Sequence, residues 1–257
     1  MTAEPRLDRG DPLIMALPNG RILGEVIPLL RRVGIEPEPA FDDPDSRQLR
    51  FRTSDPGFDL IRVRSFDAAT FVAFGAAQLG VAGNDVLMEF DYSEIYALLD
   101  LDVGHCRLAV AATADAPQQA DIGRASHVRV ATKYPEVTRR HFAARGIQAE
   151  CIKLNGAVEL APRLGLCHHI VDLVQTGATL EANGLIEIEP IAEVSSRLIV
   201  NRPALKTRPE ELGGWIERFR AAVNGKSPSP ASRERGGAHR LSDGRREADS
   251  PRAGGDH

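Results

Sequence analysis

A short loop at residues 176–179 carries the residue types that bind phosphate. It reads Thr176-Gly177-Ala178-Thr179 and follows an apolar run, Ile170–Val174, that is typical of a buried strand. A glycine and two hydroxyl residues between a strand and a helix-compatible segment favour an anion cradle, because N–H groups at a helix start lack backbone partners. An ordinary strand-to-helix connection is the alternative, but the acidic Asp172 on the strand favours a site. We therefore predict a sugar-phosphate site, in which Asp172 meets sugar hydroxyls or a magnesium ion.

Three arginines are further candidates for contact with an anionic ligand. Arg21 follows Pro18-Asn19-Gly20 at the end of a predicted strand, where sites in open α/β sheets form. A cation at the start of a helix is slightly disfavoured by the helix dipole, which hints at an anion nearby. Arg62 and Arg64 share one face of a predicted strand and either bind phosphates or form a solvated sheet face, and the residues alone favour the solvated face.

Other reactive residues predict no site of their own. His168 and His169 lie beside Cys167, but adjacent residues point apart and no second cluster has the spacing of metal ligands. The Gly80–Gly83 segment lacks the third glycine of a dinucleotide fingerprint.

Composition limits the classes of function. The chain has 257 residues, 42% of them hydrophobic and 26% charged, as in ordinary globular proteins. A net charge of −4 gives no reason to expect nucleic acid as a partner, and no apolar run approaches a membrane span. Three scattered cysteines and a charged N-terminus fit a cytoplasmic protein with neither disulfides nor a signal peptide.

Strands alternate with helices along the chain, which predicts an α/β fold with mainly parallel sheets. There are more strands than one small sheet uses, so we predict two α/β sub-domains with a cleft between them. Sub-domain I would comprise residues 12–105 and 182–223, and sub-domain II residues 106–181. Residues 1–11 read as a flexible N-terminus, and residues 224–257, rich in Ser, Pro, Gly, Ala and Arg, as a disordered tail.

Several segments, in order, resemble one family, the ATP phosphoribosyltransferases of histidine biosynthesis. The resemblance spans about residues 13–220 and is more specific than any single motif. The segments are Ala16–Arg21, Leu79–Leu87, Leu99–Leu108, Ala131–Pro135, Val158–Pro162, Ile170–Leu185 and Arg197–Asn201.

The resemblance implies a type II periplasmic-binding-protein-like fold and transfer of phosphoribosyl from phosphoribosyl pyrophosphate to ATP, with Mg²⁺. It implies that Arg21, Arg62 and Asp85 lie around the nucleotide and pyrophosphate. It places the phosphoribosyl pyrophosphate on Glu159, Asp172, Leu173, Val174, Gln175, Thr176, Gly177, Ala178, Thr179 and Leu180. Magnesium would be held through substrate phosphates, with Asp172 as a candidate ligand, and no general acid or base is assigned.

The chain resembles the short form of the family, which works as a dimer or hetero-oligomer with a histidyl-tRNA-synthetase-like regulatory subunit. Asn19 stands where many relatives have Lys, so one expected cation is missing. Residues 65–69 lack the usual Asp-Ile-Pro, and His168-His169 replaces Ala-Asp. Two alternatives remain open. A two-lobed binding protein without turnover would look similar, and a type I phosphoribosyltransferase also uses Thr-Gly-x-Thr but has two adjacent acids, whereas Leu173 follows Asp172 here.

Overall fold

The computed structural model describes residues 11–43, 45–113 and 126–225. The predicted flexible N-terminus, apart from Asp11, and the predicted disordered tail, apart from Asn224 and Gly225, lie outside the described residues. No helix in the described ranges is long and apolar enough to cross a membrane.

The chain builds two sheets with helices packed against them. In chain order the strands are Leu13–Pro18 (β1), Arg50–Arg52 (β2), Phe58–Val63 (β3), Leu79–Gly83 (β4), Ile95–Asp100 (β5), Cys106–Thr113 (β6), His127–Thr132 (β7), Gln148–Lys153 (β8), His169–Val174 (β9), Leu185–Val194 (β10) and Ser196–Asn201 (β11). The helices are Arg21–Val33 (α1), Ser65–Ala73 (α2), Asn84–Phe90 (α3), Pro135–Ala143 (α4), Leu160–Arg163 (α5), Ala178–Ala182 (α6), Arg202–Thr207 (α7) and Pro209–Asn224 (α8), and a 3-10 turn spans Pro39–Phe41.

The six-stranded sheet has the order β2-β3-β1-β4-β11-β5, and the five-stranded sheet has the order β10-β6-β9-β7-β8. The α/β class is confirmed, but the expectation of mainly parallel sheets is wrong. Strand β1 is parallel to β3 and β4, and β7 is parallel to β8 and β9, whereas β2, β5, β6, β10 and β11 all pair antiparallel. The returning strands β10 and β11, the edge strands β2 and β5, and β6 cause the difference, since antiparallel strands do not need the long crossover that parallel strands require.

The predicted boundary near residue 182 differs from the sheet pairing. Strand β10 pairs antiparallel with β6 along its length, so residues 185–194 belong to the five-stranded sheet rather than with sub-domain I. It forms one ten-residue strand whose pairing with β6 is interrupted by register shifts. The chain crosses between the sheets at residues 101–105 and again at Ser195. The described residues up to Asn224 belong to one compact unit, so the division into two sub-domains stays a prediction.

Helix packing fixes the six-stranded sheet. Helix α8 buries Leu212, Trp215, Ile216 and Phe219, which have the 3–4 residue spacing of one helix face. The Trp215 ring lies 4.5 Å from the ring of Phe58 in β3. The same core includes the buried face of α1, so the sheet that carries Arg21 and Asp85 rests on a closed apolar layer.

Candidate active site

Parallel strands end at the cleft between the sheets. Strands β1 and β4 of the six-stranded sheet lead directly to α1 and α3, and β7 and β9 of the five-stranded sheet lead to α4 and α6. Sites in α/β proteins form at such carboxyl ends, because the following loops expose backbone N–H groups and side chains there. Arg21, Asp85 and the loop at residues 176–179 lie at these ends, whereas Arg62 lies within β3 and Glu159 directly precedes α5.

The loop after β9 has the geometry of a phosphate-binding turn. Gly177 has φ +89°, a left-handed conformation in which a side chain is strained, and it directly precedes α6. The Thr176 hydroxyl accepts a hydrogen bond from Ala178 N at 3.4 Å. Thr176, Gly177 and Thr179 all remain accessible to solvent. Successive exposed N–H and hydroxyl groups on a tight turn form a concave donor surface for an anion.

The predicted phosphoribosyl residues converge on one pocket. Every one of them except Ala178 lines a cavity of about 180 Å³. The lining comprises Glu159, Asp172, Leu173, Val174, Gln175, Thr176, Gly177, Thr179 and Leu180. Complete small-molecule sites measure roughly 300–1,000 Å³, so this cavity suits a phosphate with part of a sugar.

Asp172 is the enclosed acid of this pocket. Burial raises the pKa of its carboxyl from 3.8 to about 6, and repulsion from Glu159 and Asp85 adds to the rise. A hydrogen bond from Leu173 N at 2.8 Å and the charge of Lys133 oppose that rise in pKa. Burial takes this carboxylate out of water and raises the free energy of its ionised form. A cation or a developing positive charge in the pocket lowers that free energy.

A second pocket lies between the two sheets. It measures about 110 Å³, and both sheets contribute to its lining. The charged and polar members include Arg21, Asp85, Cys106, Lys133 and Tyr134. Leu173 lines this cavity as well as the one after β9, so the two cavities are adjacent.

Asp85 and Tyr134 meet inside the second pocket. The Tyr134 hydroxyl donates to Asp85 Oδ2 at 2.8 Å, and both residues are buried. Burial raises the pKa of Asp85 despite this hydrogen bond, and burial beside Asp85 raises the pKa of the Tyr134 hydroxyl well above its usual range. Burial also raises the pKa of Cys106 to about 11, so its thiol stays protonated and unreactive at neutral pH.

Comparison with known proteins decides the family. The family model for HisG, ATP phosphoribosyltransferase, matches residues 64–221. The chain is 71% identical over 215 residues to an ATP phosphoribosyltransferase of Paramagnetospirillum magneticum, covering 84% of this chain and 98% of the relative. A Rhodospirillum rubrum ATP phosphoribosyltransferase is 67% identical over 217 residues, 84% of this chain and 96% of that relative. The chain belongs to the ATP phosphoribosyltransferase family.

Solved structures agree with the fold. The ATP phosphoribosyl transferase (HisG:HisZ) complex from Thermotoga maritima contains a chain that superposes with a TM-score of 0.70 at 28% identity, covering 83% of this chain and all of that one. The periplasmic aliphatic sulphonate binding protein SsuA from Escherichia coli shares the fold at 13% identity, with a TM-score of 0.53 over 84% of this chain and 69% of its own. The predicted fold class is confirmed. So is the activity, a pentosyltransferase acting in the first step of histidine biosynthesis.

Arg21 and Arg62, which the family resemblance groups together, have different surroundings. Arg21 lines the pocket between the sheets and pairs with Glu25 at 2.8 Å. Arg62 does not line that pocket. Its guanidinium donates to Phe41 O at 3.0 Å and lies 4.6 Å from the Phe51 ring centroid, which ties it to the sheet's own core. The assignment of Arg62 to the nucleotide therefore stays a prediction that these contacts do not favour.

Lys133 and Tyr134 are pocket residues that the sequence reading did not assign. Both follow β7, and the Lys133 ammonium lies 4.2 Å from the ring centroid of Phe66. The only signal was their place in the family-like segment Ala131–Pro135. Lys133 supplies a cation to the cleft.

The carboxylates suit magnesium held mainly by a substrate. No group of three or more His, Cys, Asp or Glu side chains in the described residues could hold a metal ion. Glu159 and Asp172 nevertheless line one pocket, and their mutual repulsion contributes to the raised pKa of Asp172. Mg²⁺ commonly binds through one or two carboxylates plus substrate phosphates, and this donor set fits that pattern.

A wider pocket, of about 720 Å³, lies at the far side of the six-stranded sheet near β2. Charged residues of both signs line it, and two of them, Arg50 and Asp59, pair with each other at 2.7 Å. We assign it no part in the reaction.

Proposed function

We propose that the chain transfers phosphoribosyl between two adjoining pockets. The cavity after β9 would hold the phosphoribosyl group of phosphoribosyl pyrophosphate, with its 5-phosphate on the 176–179 loop. The cavity between the sheets would hold the nucleotide and the pyrophosphate. The observation that carries this proposal is that both cavities share Leu173. A sugar carbon above Leu173 would face both ligands.

Charge placement supports the direction of transfer. As pyrophosphate leaves, positive charge develops on the ribose, and fixed opposite charges stabilise such a transition state. Asp172 would stabilise the ribose side, and Arg21 and Lys133 the departing phosphates. Magnesium, when bound to the substrate phosphates, would neutralise the leaving group, with Asp172 and Glu159 as candidate ligands. The adenine ring nitrogen already has a free lone pair, so the reaction does not require a strong general base.

Both cavities are smaller than the ligands they would accept. At about 180 and 110 Å³ they fall below the usual range for complete ligand sites, so binding would widen the cleft between the sheets. We propose that the two sheets move relative to each other about their crossing segments, as in other two-lobed α/β proteins.

A regulatory partner is part of this proposal. The Thermotoga maritima neighbour is a HisG:HisZ complex, and the Paramagnetospirillum magneticum relative is matched over 98% of its length. That relative therefore contains little beyond the segment matched here, as a short form would. We propose that this chain likewise binds a separate regulatory subunit, and that it forms a dimer or hetero-oligomer.

Turnover tests the function directly. The purified chain is mixed with ATP, phosphoribosyl pyrophosphate and Mg²⁺, with and without the partner subunit, and phosphoribosyl-ATP is measured. We expect product that depends on all three components. Binding of phosphoribosyl pyrophosphate without product under either condition would instead support a two-lobed binding protein, and co-purification with the partner would test the assembly.

A further inference from the structure

Helix α3 carries two buried carboxylates on one face. Asp85 and Glu89 are 5% and 6% exposed, and residues four apart lie above each other on a helix. Their partners are residues 134–137 at the start of α4, which follows β7 of the other sheet.

Glu89, a residue of α3, caps the N-terminus of helix α4. Glu136 N donates to both carboxylate oxygens, at 3.1 and 3.0 Å, and Val137 N donates to Oε2 at 3.0 Å. The residue preceding α4, Tyr134, provides no side-chain cap of its own. An anionic carboxylate on the free N–H groups of a helix start is favoured both by charge-assisted hydrogen bonds and by the helix dipole.

Further contacts surround this cap. Tyr134 donates to Asp85, and Arg140 of α4 donates to the backbone oxygen of Met88. Phe66 and Met88, from the six-stranded sheet side, pack against the core of the five-stranded sheet. We name the set Asp85, Glu89, Tyr134, Glu136 and Val137 the α3–α4 joint.

We propose that Glu89 is a positioning residue for the transfer reaction. Through the α3–α4 joint it fixes the start of α4, and with it Lys133 and Tyr134, which line the pocket between the sheets. The joint keeps one side of the cleft assembled while the rest widens to admit substrate. This inference rests on the proposed use of that cleft for the nucleotide and pyrophosphate.

The proposal predicts a specific kinetic pattern. Without the Glu89 cap, a smaller fraction of the free molecules has the cleft assembled before substrate binds. The apparent affinity for substrate falls in proportion to that fraction. Substrate at saturation selects the assembled form, so KM rises while kcat changes little. Loss of a helix cap shifts such an equilibrium by about 5- to 30-fold, and because KM rises as the inverse of the assembled fraction, we expect the KM for ATP to rise by up to that factor.

The experiment compares three variants of the full chain. Glu89→Ala removes the cap. Glu89→Gln is the conservative variant, because a single oxygen in the place of Oε2 still accepts from both Glu136 N and Val137 N. Ile216→Val is the control for stability, since Ile216 is buried in α8 and lines neither cleft pocket. Steady-state kinetics and amide hydrogen exchange at residues 136 and 137 are measured for each.

We expect Glu89→Ala to raise KM and to speed exchange at residues 136 and 137. Glu89→Gln keeps one accepting oxygen but loses the charge and the second acceptor, so both changes should be smaller than in Glu89→Ala. Ile216→Val should change neither. Faster exchange with unchanged KM would overturn the positioning role, as would a fall in KM or a loss confined to kcat. Unchanged exchange would overturn the cap itself. Failure of the wild-type chain to make phosphoribosyl-ATP would count against the proposed function, while the exchange data would still test the joint.

Discussion

Replacing Asp172 with asparagine should make the protein more stable and less active at neutral pH. The pKa of Asp172 is raised from 3.8 to about 6, chiefly by burial, so keeping the carboxylate ionised in the folded state costs free energy. At 1.36 kcal/mol per unit of pKa, the cost is about 3 kcal/mol. Asp172 retains some exposed surface, so this figure is an upper bound. An asparagine carries no such cost.

The sign of the pH dependence follows from linkage. Below about pH 4, Asp172 is protonated in both the folded and the unfolded chain, and the cost is absent. As pH rises from 3.8 to about 6 the unfolded chain releases the proton first, so the folded state loses stability over that interval. The free energy of unfolding of Asp172→Asn relative to wild type should therefore increase by up to about 3 kcal/mol between pH 4 and pH 7.

Urea unfolding at several pH values measures this difference, with Asp67→Asn, an exposed position, as the matched control. Glu159→Gln should move the pH-dependent interval to lower pH, because the charge of Glu159 contributes to the raised pKa of Asp172. The same Asp172→Asn protein should lose about 100-fold or more in kcat if the carboxylate stabilises the ribose. A stability difference that does not change with pH would refute the argument.

Three further predictions concern the loop, the β7 end and the core. Gly177→Val places a side chain at φ +89° and should cost about 1–2 kcal/mol of stability, measured by melting. It should reduce the affinity for phosphoribosyl pyrophosphate by a much larger factor, measured by calorimetric titration. Equal losses of stability and affinity would contradict a phosphate role. Thr132→Val removes the hydroxyl that donates to Val171 O at 2.7 Å and accepts from Tyr134 N at 2.9 Å. The loss of both hydrogen bonds should lower the free energy of unfolding in urea by about 1–3 kcal/mol. A smaller cost would mean that water replaces the hydroxyl. Trp215→Ala should cost about 3–5 kcal/mol while leaving the KM of the folded enzyme unchanged, and a raised KM would show that the α8 core reaches the cleft.

The sequence could bring the predicted phosphate-loop residues to one pocket because they are contiguous. A strand, an acid, a glycine with positive φ and two hydroxyls occur within Asp172–Thr179, so local chemistry alone indicated the pocket. The α/β class followed from the same local patterns. Glu159, by contrast, reached this pocket only through the family resemblance, since thirteen positions along the chain separate it from Asp172.

Long-range pairings were the part that could not be predicted. Glu89 and Tyr134 meet partners 47–49 residues away, and no periodicity reports such a contact. Strand β5 carries no clear signal in its sequence, because its exposed middle lacks the alternation of a half-buried strand. Strand β10 belongs to the five-stranded sheet because it pairs with β6, some 80 residues earlier in the chain. The sequence of β10 by itself does not indicate this distant partner.

The two buried acids nearest the cleft have different surroundings, and this difference suggests different roles. Asp85 already accepts a hydrogen bond from Tyr134 and lies beside backbone N–H groups of α3, and these contacts oppose the rise in pKa that burial causes. Asp172 has one backbone donor, Leu173 N, and two like charges that raise its pKa. A carboxylate with several hydrogen-bond partners can hold a structure in place. A carboxylate with few such partners is stabilised most when a positive centre forms nearby. On this argument we propose that Asp85 serves the α3–α4 joint and that Asp172 serves the transition state.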